Sequence, residues 1–377
     1  MNLMTIVVLS ACILLTLIQL GSLLLVRWRL HQPLRQSATA LPFITLARPV
    51  CGLDCFDEAT LRSSFVQNYP HYEILFCVAS PRDPIIPVIK RLMAEFPQQQ
   101  AQLLIGDMHA TANPKINNLM KATQHSQAEW LVMADSNLLL PPDYLRVLLA
   151  SATDKTALVS SPAIGIMAEN LWGAVEAAML NTHQARWQFN SDVIGKGFAQ
   201  GKTLCWRREV LEQHGGLIAL GAELAEDVAS TKMARNAGLQ VTLPPRPFYQ
   251  PIGRRSFTAV WQRQLRWARI RRFGFFWLFI PEILLGAQPA LLGSLWLVQQ
   301  EVIPALVPVM LMALWYGAEW ALAYSVGWPH RARDVLAMMI RDVLLPVLWL
   351  WCWAGRSFTW RGNVLSSALN APQMNEE

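Results

Sequence analysis

The first feature in the hydrophobic pattern is a run from residue 3 to residue 26 with no charged side chain. At about 1.5 Å per residue such a helix is roughly 36 Å long, enough to cross a bilayer. It lacks the basic lead and short apolar core of a cleaved signal peptide, so it reads as an anchor. Leu9-Ser10-Ala11-Cys12 looks like a lipoprotein cleavage box, but the apolar run continues well past Cys12. Near residue 40 the pattern changes. Short apolar runs at Phe43–Ala47, Glu73–Val78, Gln102–Ile105 and Trp130–Ala134 predict strands. Helical spacing predicts helices over 57–67, 84–95, 114–124 and 142–151. This alternation implies an α/β domain, a parallel sheet covered on both faces, with ligands past the carboxyl ends of its strands. Apolar stretches return near 274–298, 303–327 and 335–354. Pro281, Glu282, Gln288 and Pro289 break the first of them, which suits a kinked or re-entrant element. The expected division is an anchor at 1–27, a globular domain at 40–252, a basic interfacial helix at 253–273, a transmembrane region at 274–355 and a tail at 356–377.

Composition agrees with that layout. Of 377 residues, 53% are hydrophobic and only 15% charged, well under the quarter or so of a soluble domain. Disorder and an ordinary soluble enzyme are both disfavoured. The net charge of +6 is less telling than its distribution. All seven Lys lie at or before Lys232, whereas Arg254, Arg255, Arg263, Arg266, Arg269, Arg271 and Arg272 crowd one segment with no acid among them. Such a cluster beside apolar sequence suits anionic headgroups of membrane lipids or a phosphate-bearing ligand. No recognition helix or zinc-finger pattern accompanies it, so nucleic acid is not an expected partner. Arg27, Arg29 and Arg35 follow the first apolar run. By the positive-inside rule they place the amino terminus outside and the central domain in the cytoplasm; the expected location is a multi-pass protein of a bacterial inner membrane. Eleven of the 16 Trp fall at or after Trp261, in keeping with interfacial belts. Three crossings put the carboxyl terminus outside, while Arg356 and Arg361 favour the inside; one hairpin reconciles the two. Glu319 and Arg341–Asp342 interrupt apolar runs and are read either as a structural ion pair or as contacts to a polar acceptor head. Cys51 and Cys55 form a C-x3-C with no second pair or His to complete a zinc site.

Three carboxylates stand where chemistry is expected. Asp83 follows the strand run ending at Val78, and Asp135 follows Leu131-Val132-Met133-Ala134. Asp227 lies at a helical position after His214-Gly215-Gly216. A carboxylate at a strand tip suits a hard divalent cation that keeps its waters and bridges a diphosphate. A separate carboxylate suits a general base. Each is alternatively a turn or cap residue, since Asp-Pro and Asp-Ser are turn-like. Arg263-Gln264-Leu265-Arg266-Trp267 follows, combining a bidentate phosphate fork with a flat stacking face. The same segment also reads as a basic helix on the membrane surface. There is no Walker loop and no G-x-G-x-x-G, which removes the main support for ATP or dinucleotide binding.

Asp83, Asp135, Asp227 and Arg263-x-x-Arg266-Trp267 reproduce, in order, the D, D, D, (Q/R)-x-x-R-W pattern of inverting glycosyltransferases with the GT-A fold. Within that group the chain resembles the ceramide glucosyltransferases, through Asn68-Tyr69-Pro70-x-Tyr72-Glu73, Asn113-Pro114-Lys115-Ile116-Asn117-Asn118-Leu119-Met120, Ala134-Asp135-Ser136, Gly215-Gly216-Leu217-Ile218-Ala219, Ala225-Glu226-Asp227 and Trp360-Arg361-Gly362. The resemblance implies a Rossmann-like, cytoplasm-facing nucleotide-sugar domain between amino- and carboxyl-terminal transmembrane helices. It implies a UDP-sugar donor and a ceramide-like lipid acceptor. Residue by residue, it implies that Asp83 binds the base, Lys115 reaches the phosphates and Asp135 holds a metal–diphosphate (Mg or Mn). It makes Asp227 the catalytic base and places Arg263, Arg266 and Trp267 at the leaving diphosphate, with His183 lining the site. Asp135-Ser136-Asn137 lacks the second Asp of a D-x-D motif, so the metal rests on Asp135 and diphosphate oxygens. Glu226, next to Asp227, points about 100° away on a helix and is not the expected base. Glycosyltransferases acting on hopanoid lipids share this layout. A transporter is disfavoured by the few spans and absence of repeats. A catalytically inactive lipid-binding protein is disfavoured because every motif residue is present.

Overall fold

The structure, a computed structural model, describes residues 2–33, 41–223, 225–355, 357–360 and 363–366. Arg35, Arg356, Arg361 and Gly362, used in the sequence reading, lie outside the described residues. The chain divides into two compact units. A sheet unit takes Gln32–Ile164, Ser191–Pro251 and Ser357–Glu377, and a helical unit takes Met1–His31, Gly165–Asn190 and Ile252–Arg356. Gly165–Asn190, from the middle of the chain, clusters with the helices.

In chain order the strands are β1 Ile44–Val50, β2 Tyr72–Val78, β3 Ala101–Ile105, β4 Trp130–Ala134, β5 Thr156–Ser160, β6 Ala163–Ala168, β7 Thr203–Arg207, β8 Gln240–Thr242, β9 Phe248–Gly253, β10 Ser357–Trp360 and β11 Asn363–Ser366. The sheet unit is built on seven of them in the order β3-β2-β1-β4-β7-β5-β8, while β6 pairs with β9 and β10 with β11. β1 is parallel to β2 and β4, and β2 to β3, as the β-α alternation predicts. The sheet is not wholly parallel: β7 runs antiparallel to both β4 and β5.

Every residue of β2 is buried, as expected for a strand covered on both faces. Alternate side chains feed two cores. Ile74, Phe76 and Val132 meet Leu61, Ile89 and Leu145 on one face. Leu75, Cys77 and Met133 meet Ile116, Leu211 and Ala229 on the other. The helix Pro114–His125 starts where the sequence places it, with Pro114 in its first turn and the Asn113 side chain accepting from the Lys115 and Ile116 N–H groups. Gly215, at φ 96°, ends the preceding helix Arg208–Gln213 in a conformation that favours glycine.

In the helical unit, Leu3–Leu30 and Leu306–Ser325 are long and apolar enough to cross a membrane. Phe276–Leu284 and Gln288–Gln299 form a pair bent by 42°, matching the Pro-broken stretch of the sequence. The helix Ala332–Trp351 is not among the candidate spans, since it carries Arg333, Asp334, Arg341 and Asp342. Leu3–Leu30 packs closely on Gln288–Gln299: a Cβ on Gly293 would sit 2.6 Å from Cys12 Sγ. Glu319 and Arg341–Asp342 resolve as an ion network. Arg341 donates to both Glu319 oxygens at 2.9 and 3.0 Å, Gln19 donates to Glu319 at 2.9 Å, and Asp342 lies 2.7 Å from Arg341. All three charged residues are buried.

Candidate active site

Asp135 follows directly on β4. The antiparallel register pairs Ala134 with Thr203, so the turn before β7 arrives beside it. The Asp135 N–H donates to the Lys202 carbonyl at 3.1 Å, and Lys202 Nζ lies 3.1 Å from Asp135 Oδ2. Lys115 comes from the first turn of its helix and reaches Asp135 Oδ1 at 2.7 Å. Its Nζ also meets Glu226 Oε1 at 2.6 Å and the Gly201 carbonyl at 2.7 Å. Asn113 donates to the other Glu226 oxygen at 3.2 Å. Gly201 completes the set by donating its N–H to Asp227 Oδ2 at 3.3 Å. A Cβ on Gly201 would stand 2.6 Å from Glu226 Oε1, so a larger residue here would displace the Glu226 carboxylate from Lys115. Four separate elements, the helix Pro114–His125, the end of β4, the turn before β7 and the helix Glu226–Asn236, thus bring Lys115, Asp135, Lys202, Glu226 and Asp227 to one corner, past the carboxyl end of β4.

The two aspartates are tuned in opposite directions. Burial alone would raise the Asp135 carboxyl, but Lys115 and Lys202 outweigh it and hold the group well below the usual carboxylate range. Burial would lower Lys115, and Asp135 with Glu226 overcomes that and holds it above the ordinary lysine value. Asp227 makes no ion pair among the described residues, and the charge of Lys115 offsets only part of what raises it. Burial first, then the like charge of Glu226, pushes it to about 6. Its N–H contacts from Val228, at 2.8 Å, and Gly201 offset only part of this. One carboxylate is thereby kept ionised and its neighbour poised near neutrality, the divergence expected of groups with different tasks.

Asp83 lies elsewhere on the same edge of the sheet. Its oxygens accept from the Gly52 N–H at 3.1 and 2.9 Å and from the Ile85 N–H at 3.1 Å, tying the loop after β1 to the loop after β2. Among the described residues it makes no hydrogen bond or ion pair with Asp135, Lys115 or Asp227.

The remaining motif residues belong to the helical unit. Arg263, on the helix Phe257–Gly274, is ion-paired with the fully buried Glu176, whose other oxygen lies 3.8 Å from Arg255 Nε. Arg271 pairs with Glu282 at 2.9 Å, and Arg272 donates to the Cys352 carbonyl at 2.7 Å. The Arg-rich segment has no acid of its own, yet much of its charge is met from within the protein. Trp267 packs on Ala177, Leu180 and Ile252. His183 is buried in a π-helical turn, Met179–Ala185, a rare geometry often found at functional sites.

Sequence reasoning missed Lys202, Gly201, Arg48 and the role of Glu226. Arg48 is fully buried in β1 and donates to the Ser136 and Leu138 carbonyls at 3.0 and 3.1 Å, fixing the loop that carries Asp135. The Gly-Lys pair just ahead of the strand-like run Thr203–Arg207 was the available signal for Lys202. Nothing local marks Arg48.

Comparison with known proteins places this geometry in context. The chain is 26% identical over 261 residues to "Ceramide glucosyltransferase 3" of Caenorhabditis elegans, covering 69% of this chain and 56% of that protein. It is 41% identical over 107 residues to "Ceramide glucosyltransferase" of Candida albicans, covering 25% of this chain and 20% of that protein. The chain thus spans about half the length of the Caenorhabditis relatives it matches, at 56% and 53%. Its structure is similar to that of a mannosyltransferase from Pyrobaculum calidifontis, solved with GDP-Man and Mn2+, at 18% identity and a TM-score of 0.52 over 89% of this chain and 99% of that one. The shared architecture is the GT-A glycosyltransferase fold. A match to the glycosyl transferase family 21 description runs over residues 7–370, from inside the first helix to beyond the last described strand, and on that extent the chain belongs to glycosyl transferase family 21.

Proposed function

We propose that this chain is an inverting glycosyltransferase that moves glucose from UDP-glucose to the primary hydroxyl of a ceramide-like membrane lipid, with its sheet unit on the cytoplasmic side of the membrane. The observation that carries the reading is the paired arrangement of an ionised Asp135, clamped by Lys115 and Lys202, and an Asp227 raised to about 6 and linked to it through Gly201 and Lys115. The names of the ceramide glucosyltransferase relatives support the acceptor class. Arg27 and Arg29, in the last turn of the first candidate span, support the sidedness.

In this reading, Lys115 and Lys202 are positive groups set to receive the donor's diphosphate and stabilise the charge that develops on it as the sugar leaves. The acceptor oxygen attacks the anomeric carbon, the bond from that carbon to the UDP oxygen breaks, and Asp227 takes the hydroxyl proton. With a carboxyl poised at about 6, Asp227 is mostly ionised at neutral pH yet basic enough to assist. Asp83, in the loop after β2, takes the nucleotide base in this reading; Arg266 and Trp267 stay assigned to the leaving diphosphate through the motif they complete.

Among the described residues there is no cluster of three metal-ligating side chains. Asp135 fits a hard divalent ion that takes one protein carboxylate and completes its shell with diphosphate oxygens and water. Such an ion, magnesium or manganese, would be held by Asp135 and would supply charge neutralisation at the diphosphate.

The test is full-length protein in lipid nanodiscs with UDP-glucose and, in turn, ceramide, diacylglycerol and a hopanoid alcohol, with products identified by mass spectrometry. Glucosylated ceramide with inverted anomeric configuration is the expected product. Exclusive glycosylation of the hopanoid, or none of any lipid, overturns the reading. Asp135→Asn is expected to weaken UDP-glucose binding and turnover together, and excess chelator to mimic it in the wild type.

A further inference from the structure

Lys202 Nζ bridges two oxygens, Asp135 Oδ2 at 3.1 Å and Asn137 Oδ1 at 3.0 Å. These two residues have the i, i+2 spacing of a D-x-D motif, with an amide where the second carboxylate would stand. Carboxylate and side-chain amide oxygens are both ordinary ligands of a hard divalent ion. The ammonium thus lies at a place that two oxygens already mark for a cation. The backbone around it is held. Arg48 donates to the Ser136 and Leu138 carbonyls, one on each side of Asn137, and the Asp135 N–H donates to the Lys202 carbonyl. The lysine side chain, on its flexible four-carbon stem, is the part that can move.

Lys115 is held differently. It shares Asp135 but also meets the Glu226 carboxylate at 2.6 Å and the Gly201 carbonyl at 2.7 Å. Its contact with Asp135 is the shorter one, at 2.7 Å, and its side chain is less exposed, 8% against 14% for Lys202. Beside Asp135, Lys202 faces the neutral amide of Asn137. Of the two lysines, Lys202 is therefore the one whose ammonium an arriving cation displaces at lower cost. We propose that Lys202 is a positioning residue that stands in for the divalent ion until the donor arrives. A metal–nucleotide complex places its ion between Asp135 and Asn137, and the displaced ammonium moves onto the diphosphate oxygens. The inference rests on the glycosyltransferase reading and adds an order of events to it. An ion that enters without a diphosphate strands a partly buried ammonium, which is costly. An ion that enters with one gives that ammonium a strong acceptor. Metal and nucleotide affinities are then coupled, and by linkage the coupling is reciprocal.

The experiment measures Mn2+ binding to full-length protein in phosphatidylcholine nanodiscs, by electron paramagnetic resonance of the free ion, with and without UDP, against empty nanodiscs. Direct attraction between Mn2+ and the diphosphate couples the two ligands in any scheme, so the variants decide. Lys202→Met keeps the stem and removes the competing charge. Its affinity for Mn2+ without UDP is expected to rise about tenfold, and the tightening brought by UDP to shrink by about the same factor. A gain of affinity is a result that misfolding does not produce. Lys202→Arg keeps a cation in place and should bind Mn2+ without UDP as weakly as wild type. Adding Asn137→Ala to Lys202→Met should take back part of the gain; an undiminished gain removes Asn137 from the ion's shell. If Lys202→Met binds Mn2+ without UDP no better than wild type, or Lys202→Arg gains as much as Lys202→Met, the exchange is wrong, and glucosylation of ceramide by wild type leaves the enzyme reading intact. If Lys202→Met shows the gain while wild type glycosylates no lipid, the exchange of cations stands and the enzyme reading fails.

Discussion

Asp227 and Glu226 are neighbours in sequence but differ in company. Glu226 has Lys115 and Asn113; Asp227 has two backbone N–H groups and the repulsion of Glu226. Asp227→Asn is expected to lower turnover by about 10²–10⁴-fold with UDP-glucose binding retained. It is also expected to raise the melting temperature. A carboxyl raised from 3.8 to about 6 holds its proton more tightly in the folded state, so its contribution improves as pH falls through about 6 towards 3.8. At pH 7 it costs the fold on the order of 1–3 kcal/mol, which the amide relieves. A thermal scan at pH 7 showing destabilisation would contradict this. Glu226→Gln separates the two residues further. Removing the like charge lowers Asp227, so the acid limb of the pH–rate profile should move below 6, though burial keeps it above the ordinary value. Lys115 simultaneously loses a partner, so the KM for UDP-glucose should rise. A variant with unchanged acid limb and unchanged KM would show that Glu226 touches neither. None of this pairing was legible beforehand: adjacent helix positions predict divergent directions, not which direction holds a lysine from another helix.

At the scale of elements, the β-α alternation was readable because strands covered on both faces are near-continuous apolar runs, as in Ile74–Val78 of β2 and in β4. The antiparallel β7 was not, since direction leaves no trace in a short buried strand; yet its direction is what delivers Gly201 and Lys202 to Asp135. The Arg-rich helix was read as basic and surface-bound because its acids lie far off in sequence, Glu176 being 87 residues before Arg263. That pair supports the motif helix from within. Removing one partner of a buried pair typically costs about 3–5 kcal/mol. Glu176→Gln and Arg263→Gln should therefore each lower thermal stability, and the double variant should cost less than their sum. Additive losses in that cycle would mean the two residues are uncoupled.

The helical unit as a whole is held by buried polarity as well as by packing. Glu319 gathers Gln19, Arg186 and Arg341 from three other elements. The sequence flagged Glu319 and Arg341 as costly in an apolar setting; it did not show that Gln19, the polar residue inside the first helix, was their third party. Arg341→Leu is expected to shorten the lifetime of the detergent-solubilised protein sharply, with the loss partly reversed by Glu319→Gln in the same chain. Equal lifetimes for wild type and Arg341→Leu would remove the network from the account of stability.

The interleaving of the two units sets a schedule for synthesis. Residues 191–251 supply β7, β8 and most of β9 early, while Glu176 and Arg186, already made, await Arg263 and Glu319. At about 5–20 residues per second the ribosome needs roughly 3–14 seconds to travel from residue 251 to residue 319. During that interval a nascent chain holds an apolar segment bearing an uncompensated acid and an uncompensated base. A fragment cut after residue 251 would hold them in that condition permanently, so excising the carboxyl-terminal helices to gain solubility should yield aggregate, whereas tethering the missing helices in trans should restore a tractable protein.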